Sequence, residues 1–356
     1  MSAFFPASTN ISVPPKPAAW RLWTALLGWF LTLLQPACPA SEVSPLPLAS
    51  VRSVLNLSHQ EADLAKPVAL EATVTLFDPK LNLFFVQDET GGIYVYAPHL
   101  PSKTKPGEKI AIKGFTVPGR FSPVIQLESF QATGATNLPV PRRTSLDRVL
   151  SGIEDCQWIE LEGVIQSTES KDNTHRAVLA LGPSRVPLLL CEAPSGWNTN
   201  LVDAHVRVRG VGGTRFNTQD QVSGFHVFVQ KAGDIEVTVP PPSDPFALPI
   251  RQDRSLLTYQ SLGLPGHRIK VRGAVTFCRP GSHLVLQDTG MAIVVRSPGI
   301  TNITIGHHAE AVGFLSLQGG IQQELEHGLV RGVEPGLPLN PALVNVGKIL
   351  VGERQN

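Results

Sequence analysis

The chain has 356 residues with 30 Lys plus Arg against 29 Asp plus Glu, a formal net charge of +1, so it lacks the basic excess with which dedicated nucleic-acid binders hold a phosphate backbone. Hydrophobic residues make up 42%, enough for packed cores in two or three domains, and 31 Gly with 31 Pro exclude long helical bundles and favour short strands joined by turns. The four cysteines, Cys38, Cys156, Cys191 and Cys278, contain no C-x-x-C pair, which excludes a zinc ribbon or a dense disulfide framework.

The N-terminus has the features of an export signal. Leu22 to Leu34 is a 13-residue run without a charge, preceded by Lys16 and Arg21 and broken by Gln35-Pro36. It falls short of the roughly 20 residues that span a bilayer and suits a signal h-region. Ala37-Cys38-Pro39-Ala40 supplies small residues, so residues 1–40 are assigned as a signal peptide cleaved after Ala40. An uncleaved anchor and a lipoprotein modified at Cys38 are the alternatives. Export places the mature chain in the periplasm or outside the cell, with contact to a membrane only through this segment or a C-terminal part beyond the chain. Cys156 and Cys191, in one predicted domain, are then either a disulfide or separate buried thiols.

Internal repetition follows. PVALEATVTLF at 67–77, QWIELEGVIQ at 157–166 and RIKVRGAVTF at 268–277 each alternate up to a small residue, Ala72, Gly163 and Gly273. The first and third copies match again at Phe84-Phe85-Val86-Gln87-Asp88 and Leu284-Val285-Leu286-Gln287-Asp288. From the small residue to a second glycine, Gly114, Gly210 or Gly313, the separation is 42, 47 and 40 residues. Each copy predicts five short strands with a hairpin, through Gln-Asp-x-x-Gly-Gly in the first and Gln-Asp-Thr-Gly-Met in the third; from Asp88 to Gly92, Asp caps the turn and Gly accepts φ > 0. The glycine in the first strand suits the sharp bend or bulge of a small barrel. The predicted fold is therefore all-β: three tandem OB-like five-stranded barrels, with a small β-sandwich as the alternative.

A short amphipathic stretch after a Pro-rich linker precedes each copy: Leu46–Asp63, Ser145–Leu150 with Ser145 as N-cap, and Ser255–Tyr259. The expected modules are 43–139, 140–241 and 242–335. Residues 336–356 resemble the opening of a fourth module or a capping tail.

These repeats resemble the extracytoplasmic N-terminal regions of large bacterial sensor histidine kinases, which carry tandem OB-like modules ahead of a membrane helix and a kinase core. The resemblance rests on Phe84 to Val95, on Ser151 to Val164 and on Asp244-Pro245-Phe246-Ala247-Leu248-Pro249. It implies a sensory or interaction region. A second membrane segment, a phosphoacceptor histidine region and an ATP-binding glycine motif do not occur in these residues, so no kinase role is transferred to any of them.

The chemistry-bearing motifs are few. The sequence contains no G-x-S-x-G elbow, P-loop, H-E-x-x-H or EF-hand loop. Arg-Gly-Val-Gly-Gly at 209–213 follows a predicted strand without opening a helix, and so is not expected to cradle phosphate. Gln87 with Asp88, and Gln287 with Asp288, are read either as ligand contacts or as turn caps. Tyr94 and Tyr96 share a strand face and offer a stacking surface beside Phe84 or Phe85. Trp197, in a polar loop, is a candidate contact residue. Five of the ten histidines (His267, His283, His307, His308 and His327) fall in the third copy without a ligand-like spacing, and no metal or other cofactor is expected. Glu160 and Glu162 share one strand face as the nearest approach to a paired-carboxylate site.

The expectation is a non-enzymatic extracytoplasmic sensory or interaction region. Its partner would be a small ligand or an envelope protein, with no nucleic acid. The alternative is a secreted carbohydrate- or oligonucleotide-binding OB-module protein.

Overall fold

The structure is a computed structural model. It describes residues 46–97, 104–135, 137–182, 184–217, 222–251, 266–288, 291–318 and 322–336. Residues 1–40, read above as a signal peptide, the Ser255–Tyr259 stretch and the tail beyond residue 336 lie outside the described residues. The chain forms two compact units, 1–139 and 140–356, the second of which holds two barrels.

In the first unit, α1 (Val51–Leu55) and α2 (His59–Ala62) precede β1 (Pro67–Asp78), β2 (Leu83–Gln87), β3 (Gly92–Tyr96), β4 (Glu108–Val117) and β5 (Val124–Ala135). The strands close in the order β1-β2-β3-β5-β4, with β3 and β5 parallel and the other pairs antiparallel. This is the OB arrangement.

The second unit begins with β6 (Arg142–Arg143), α3 (Leu146–Leu150), β7 (Trp158–Lys171), β8 (Thr174–Leu181) and β9 (Ser184–Glu192). It continues with β10 (His205–Phe216), β11 (Val222–Lys231) and β12 (Ile235–Val239). Pairing of β10 with β7 closes the β7-β8-β9-β11-β10 ring, and a one-turn helix at Ala232–Asp234 separates β11 from its continuation β12. The last barrel, from β13 (Arg268–Arg279), β14 (His283–Asp288), β15 (Met291–Arg296), β16 (His308–Gln318) and β17 (Gln322–Glu334), repeats the order of the first. The chain is thus all-β, with three OB-like barrels in tandem.

Alternation along the strands builds each core. Ile159, Leu161, Val206, Val208, Val227 and Val229 point into the second barrel, and Val149 of α3 enters the same cluster. Val51 and Val54 of α1 do the same in the first barrel. The short helices therefore close their own barrels. Ser145 stands at the N-cap of α3, as its position predicts, but its side chain makes no capping bond.

The strand-one bend falls elsewhere than at the small residue. In all three barrels the register slips three residues later, at Thr75, Gln166 and Thr276. At Gly163 the cause is instead a close approach, since a Cβ there would lie 2.3 Å from the Ala180 carbonyl oxygen. Gly210 is held in the same way, because a Cβ at that position would fall 2.4 Å from the Phe228 oxygen. Gly210→Ala is therefore expected to lower the stability of the second barrel by about 1–3 kcal/mol, through strain rather than lost contacts. Urea unfolding checks this, and an unchanged midpoint would refute it.

The Pro-rich linkers also contribute sheet. Leu48 bridges Val68, β6 pairs with Ile159–Glu160, and Ile250 bridges Lys270, each parallel to strand one of the barrel that follows. Each linker thus touches strand one of its barrel, through a two-residue strand at Arg142–Arg143 and through single bridges at Leu48 and Ile250.

Candidate ligand-contact sites

The two Gln-Asp hairpins differ in how much local structure they hold. Asp88 Oδ1 accepts from the Thr90 and Gly91 amides at 2.7 and 3.0 Å and from the Thr90 hydroxyl at 2.6 Å. Its Oδ2 accepts from the Val51 amide at 2.8 Å, so one carboxylate caps both the turn and α1. Gln87 is half-buried at the end of β2. Gln287 and Asp288 occupy the equivalent places at the end of β14, where both are exposed.

The tyrosine pair divides. Tyr94 lies opposite Phe85, with ring centroids 5.3 Å apart, is 3% exposed, and donates its hydroxyl to the Asn82 carbonyl at 2.9 Å. Tyr96 is half-exposed, while Phe84 is in the core against Phe77. The face read as a stacking platform is thus mostly packed.

Trp197 is half-buried against the second core, not fully exposed on its loop. Its indole N–H donates to Ser170 Oγ at 2.8 Å and its ring meets the edge of His175. His175 Nδ1 shares the same hydroxyl at 3.1 Å, and Asn198 Nδ2 donates to Thr168 Oγ1 at 3.1 Å.

Glu160 and Glu162 belong to a charge ladder across the outer face of the second barrel. Glu160, 7% exposed, accepts from Arg143 Nε at 3.1 Å and Arg209 Nε at 3.0 Å. Glu162 accepts from Arg207 Nε at 3.1 Å, and Glu236 lies 3.4 and 3.3 Å from Arg207 and Arg209. The glycines among these arginines lie within β10, as the absence of a following helix predicts. Sequence reading missed this ladder because its partners come from β6, β7, β10 and β12. Opposed charges at registered positions, Glu160 with Arg209 and Glu162 with Arg207, are the signal that would have found it.

In the third barrel the histidines disperse. His283 stacks on Phe277, and His327 lies edge-on to Phe314. His267 Nδ1 approaches Asp203 Oδ1 at 2.9 Å. Among the described residues no three His, Cys, Asp or Glu side chains gather as a metal site. Among the described residues Cys156, Cys191 and Cys278 take part in no disulfide.

The last contact of His267 belongs to a joint between the second and third barrels. Arg185, on β9, reaches Gln166 Oε1 at 2.7 Å, Ser316 Oγ at 3.2 Å and Glu326 Oε2 at 3.3 Å. Gln166 also donates to the Gly266 carbonyl at 3.0 Å. Asp203, 2% exposed, accepts from the Arg268 amide at 3.1 Å as well as facing His267. Beneath these polar links Val164, Ala180 and Phe314 form a small shared apolar cluster.

The fold and these surfaces define a tandem OB-barrel protein. No family model matches the chain, and no curated protein sequence matches it. Among solved structures, fission yeast Pot1 with single-stranded DNA aligns at 11% identity over 53% of this chain and 85% of that one, with a TM-score of 0.26. The Ifi202 HINa domain in complex with double-stranded DNA aligns at 13% identity over 49% and 96%, TM-score 0.22. A chain from Leishmania major Friedlin, provisionally identified as an aspartyl-tRNA synthetase, aligns at 13% identity over 32% of this chain and 24% of that one, TM-score 0.23. This chain therefore spans about a quarter of that protein's length.

Proposed function

We propose that this chain is an exported, non-enzymatic recognition protein whose OB barrels bind a linear oligomer, an oligosaccharide or a single-stranded oligonucleotide. The observation that carries this reading is the joint through Arg185, which links the second and third barrels within one compact unit. Two linked barrels suit a ligand with repeating units, because the second contact is made at a smaller loss of freedom than the first. OB barrels serve both classes of polymer through their exposed faces and loops.

Of the two, the oligosaccharide is the better match. Phosphate binding draws its strength from basic side chains free to displace counterions. On the second barrel Arg143, Arg207 and Arg209 are instead paired with carboxylates. The test is titration of the full chain with neutral oligosaccharides and with a twelve-residue thymidine oligonucleotide at low and high salt. Saturable, salt-insensitive glycan binding is the expected result. Steeply salt-dependent binding to the oligonucleotide would move the assignment to nucleic acid, and binding to neither would overturn the reading.

A second reading, a sensory region related to those of sensor histidine kinases, is favoured by the same joint. Barrels joined by such contacts can pass a change of orientation along the chain. Selective capture of an envelope protein, without oligomer binding, would establish it.

A further inference from the structure

The tip of the β7–β8 hairpin, residues 169–173, is exposed. Its turn residues Asp172 and Asn173 have φ of 50° and 59°, the paired left-handed conformation of a tight two-residue hairpin. Strand alternation sorts its side chains by charge. Thr168, Ser170 and His175 share the face of Ala177, which is buried in the barrel core, whereas Glu169, Lys171 and Arg176 occupy the opposite face. The loop between β9 and β10 brings Trp197 and Asn198 against the uncharged face.

We infer that this uncharged face, with Trp197 as its platform, is a binding site for one ring of a neutral oligosaccharide. The inference rests on the recognition function proposed above and gives it a location. Trp197 is held in place before any ligand arrives, by its bond to Ser170, its edge contact with His175 and its packing on the core. An immobilised indole loses little freedom on binding and offers an apolar surface to the C–H face of a pyranose. The hydrogen-bonding groups around it are hydroxyls, an amide and an imidazole. Ser170 Oγ is shared between the indole and His175 Nδ1, which leaves His175 Nε2 to serve a ligand hydroxyl. Asn198 gives its Nδ2 to Thr168, leaving its Oδ1 as an acceptor. A few polar groups around an aromatic surface are the composition of a small-ligand site. The hairpin's own cations, Lys171 and Arg176, lie on the opposite face and are turned away from a phosphate-bearing strand placed here. Rings with all-equatorial substituents stack best on a flat indole, so β-1,4-linked glucose and N-acetylglucosamine chains are the first probes.

The experiment uses the full chain labelled with 5-fluorotryptophan, whose Trp197 resonance is assigned by its loss in Trp197→Phe. Cellotetraose and a β-1,4-linked N-acetylglucosamine tetramer are titrated in. The expected result is a saturable shift of the Trp197 resonance and an affinity lowered about thirtyfold or more in Trp197→Ala. Because Trp197 also packs on the core, His175→Ala and Asn198→Ala are tested beside it. Each should weaken binding several-fold while the unfolding midpoint stays near that of the parent chain. If an oligosaccharide binds the chain but leaves the Trp197 resonance and both polar variants unaffected, Trp197 is only a barrel plug, and the site is overturned while the recognition function stands. If neither these tetramers nor the other neutral oligosaccharides bind, the site is overturned, and the recognition function falls with it only when the thymidine oligonucleotide also fails to bind.

Discussion

Arg148→Ala is expected to destabilise the second barrel by about 3 kcal/mol, although Arg148 is a surface residue with a side chain 42% exposed. The reason is its partner. Glu154 is fully buried, and its Oε1 accepts from Arg148 Nε at 2.6 Å and from Thr144 Oγ1 at 2.9 Å. Its Oε2 has no hydrogen-bond partner, and Arg142 Nη1 stands 3.9 Å away. Removing Arg148 leaves a carboxylate inside the protein with one neutral donor and a distant cation. Removing the carboxylate is milder, because both arginines are already in contact with water and remain solvated. The order of effects should therefore be Arg148→Ala worse than Glu154→Gln. The double variant should recover part of the loss, since the buried charge is gone. Thermal unfolding of the full chain should show Arg148→Ala lowering the transition of the second unit by roughly 10 °C. Equal losses in both single variants would mean that the pair acts through packing alone.

This pair also explains a motif that drew attention in the sequence. Ser151 to Val164 prompted a family resemblance, and its residues prove to have local tasks. Glu154 gathers Thr144 and Arg148, Asp155 Oδ1 accepts from the Thr214 amide at 2.8 Å, and Cys156 sits at φ 60°. From Trp158 onward the segment is strand one of the barrel.

Much of the fold was legible because it is written locally and repeated. Alternation around Ala72, Gly163 and Gly273 identifies strand one, and the glycines at 114, 210 and 313 mark strand four. What repetition cannot convey is which strand lies across from which. Gly210 reads only as a repeat marker, yet it is required by a carbonyl from β11. Pro141 and Pro249 read as linker, yet Arg142 and Ile250 next to them pair with strand one. Tyr94 reads as exposed from strand alternation, but Phe85 and the Asn82 carbonyl take up its ring and hydroxyl. The candidate site was half legible. Trp197 stood out in a polar loop, whereas Ser170 and His175, which fix it, lie 27 and 22 residues away in sequence.

Acid should destabilise the second unit through His226. The imidazole lies on β11 opposite Gly213, edge-on to Phe228 with centroids 4.4 Å apart, and its Nε2 is buried without a hydrogen-bond partner. Burial, reinforced by the positive charge of Arg215, pushes its pKa down to about 3. An unfolded histidine titrates near 6.5, so the folded state holds the neutral ring while the unfolded chain takes up the proton. The contribution is therefore complete above about pH 6.5 and is lost as pH falls towards 3, at about 1.4 kcal/mol for each unit. At pH 5 that amounts to roughly 2 kcal/mol. His327 acts in the same direction, its pKa lowered by burial and by Arg185 and Arg268 against the opposing pull of Glu326. Urea unfolding between pH 7.5 and 5 should show a falling free energy in the parent chain. His226→Gln should flatten that fall by close to one proton while costing some stability at pH 7.5, where the ring's contact with Phe228 is lost. The glutamine keeps a polar side chain but removes the titration, so the slope isolates the proton. If the slope is unchanged in His226→Gln, the ring takes up its proton inside the fold. Gly213, against whose absent Cβ the ring packs at 2.7 Å, would then have to yield space for a water.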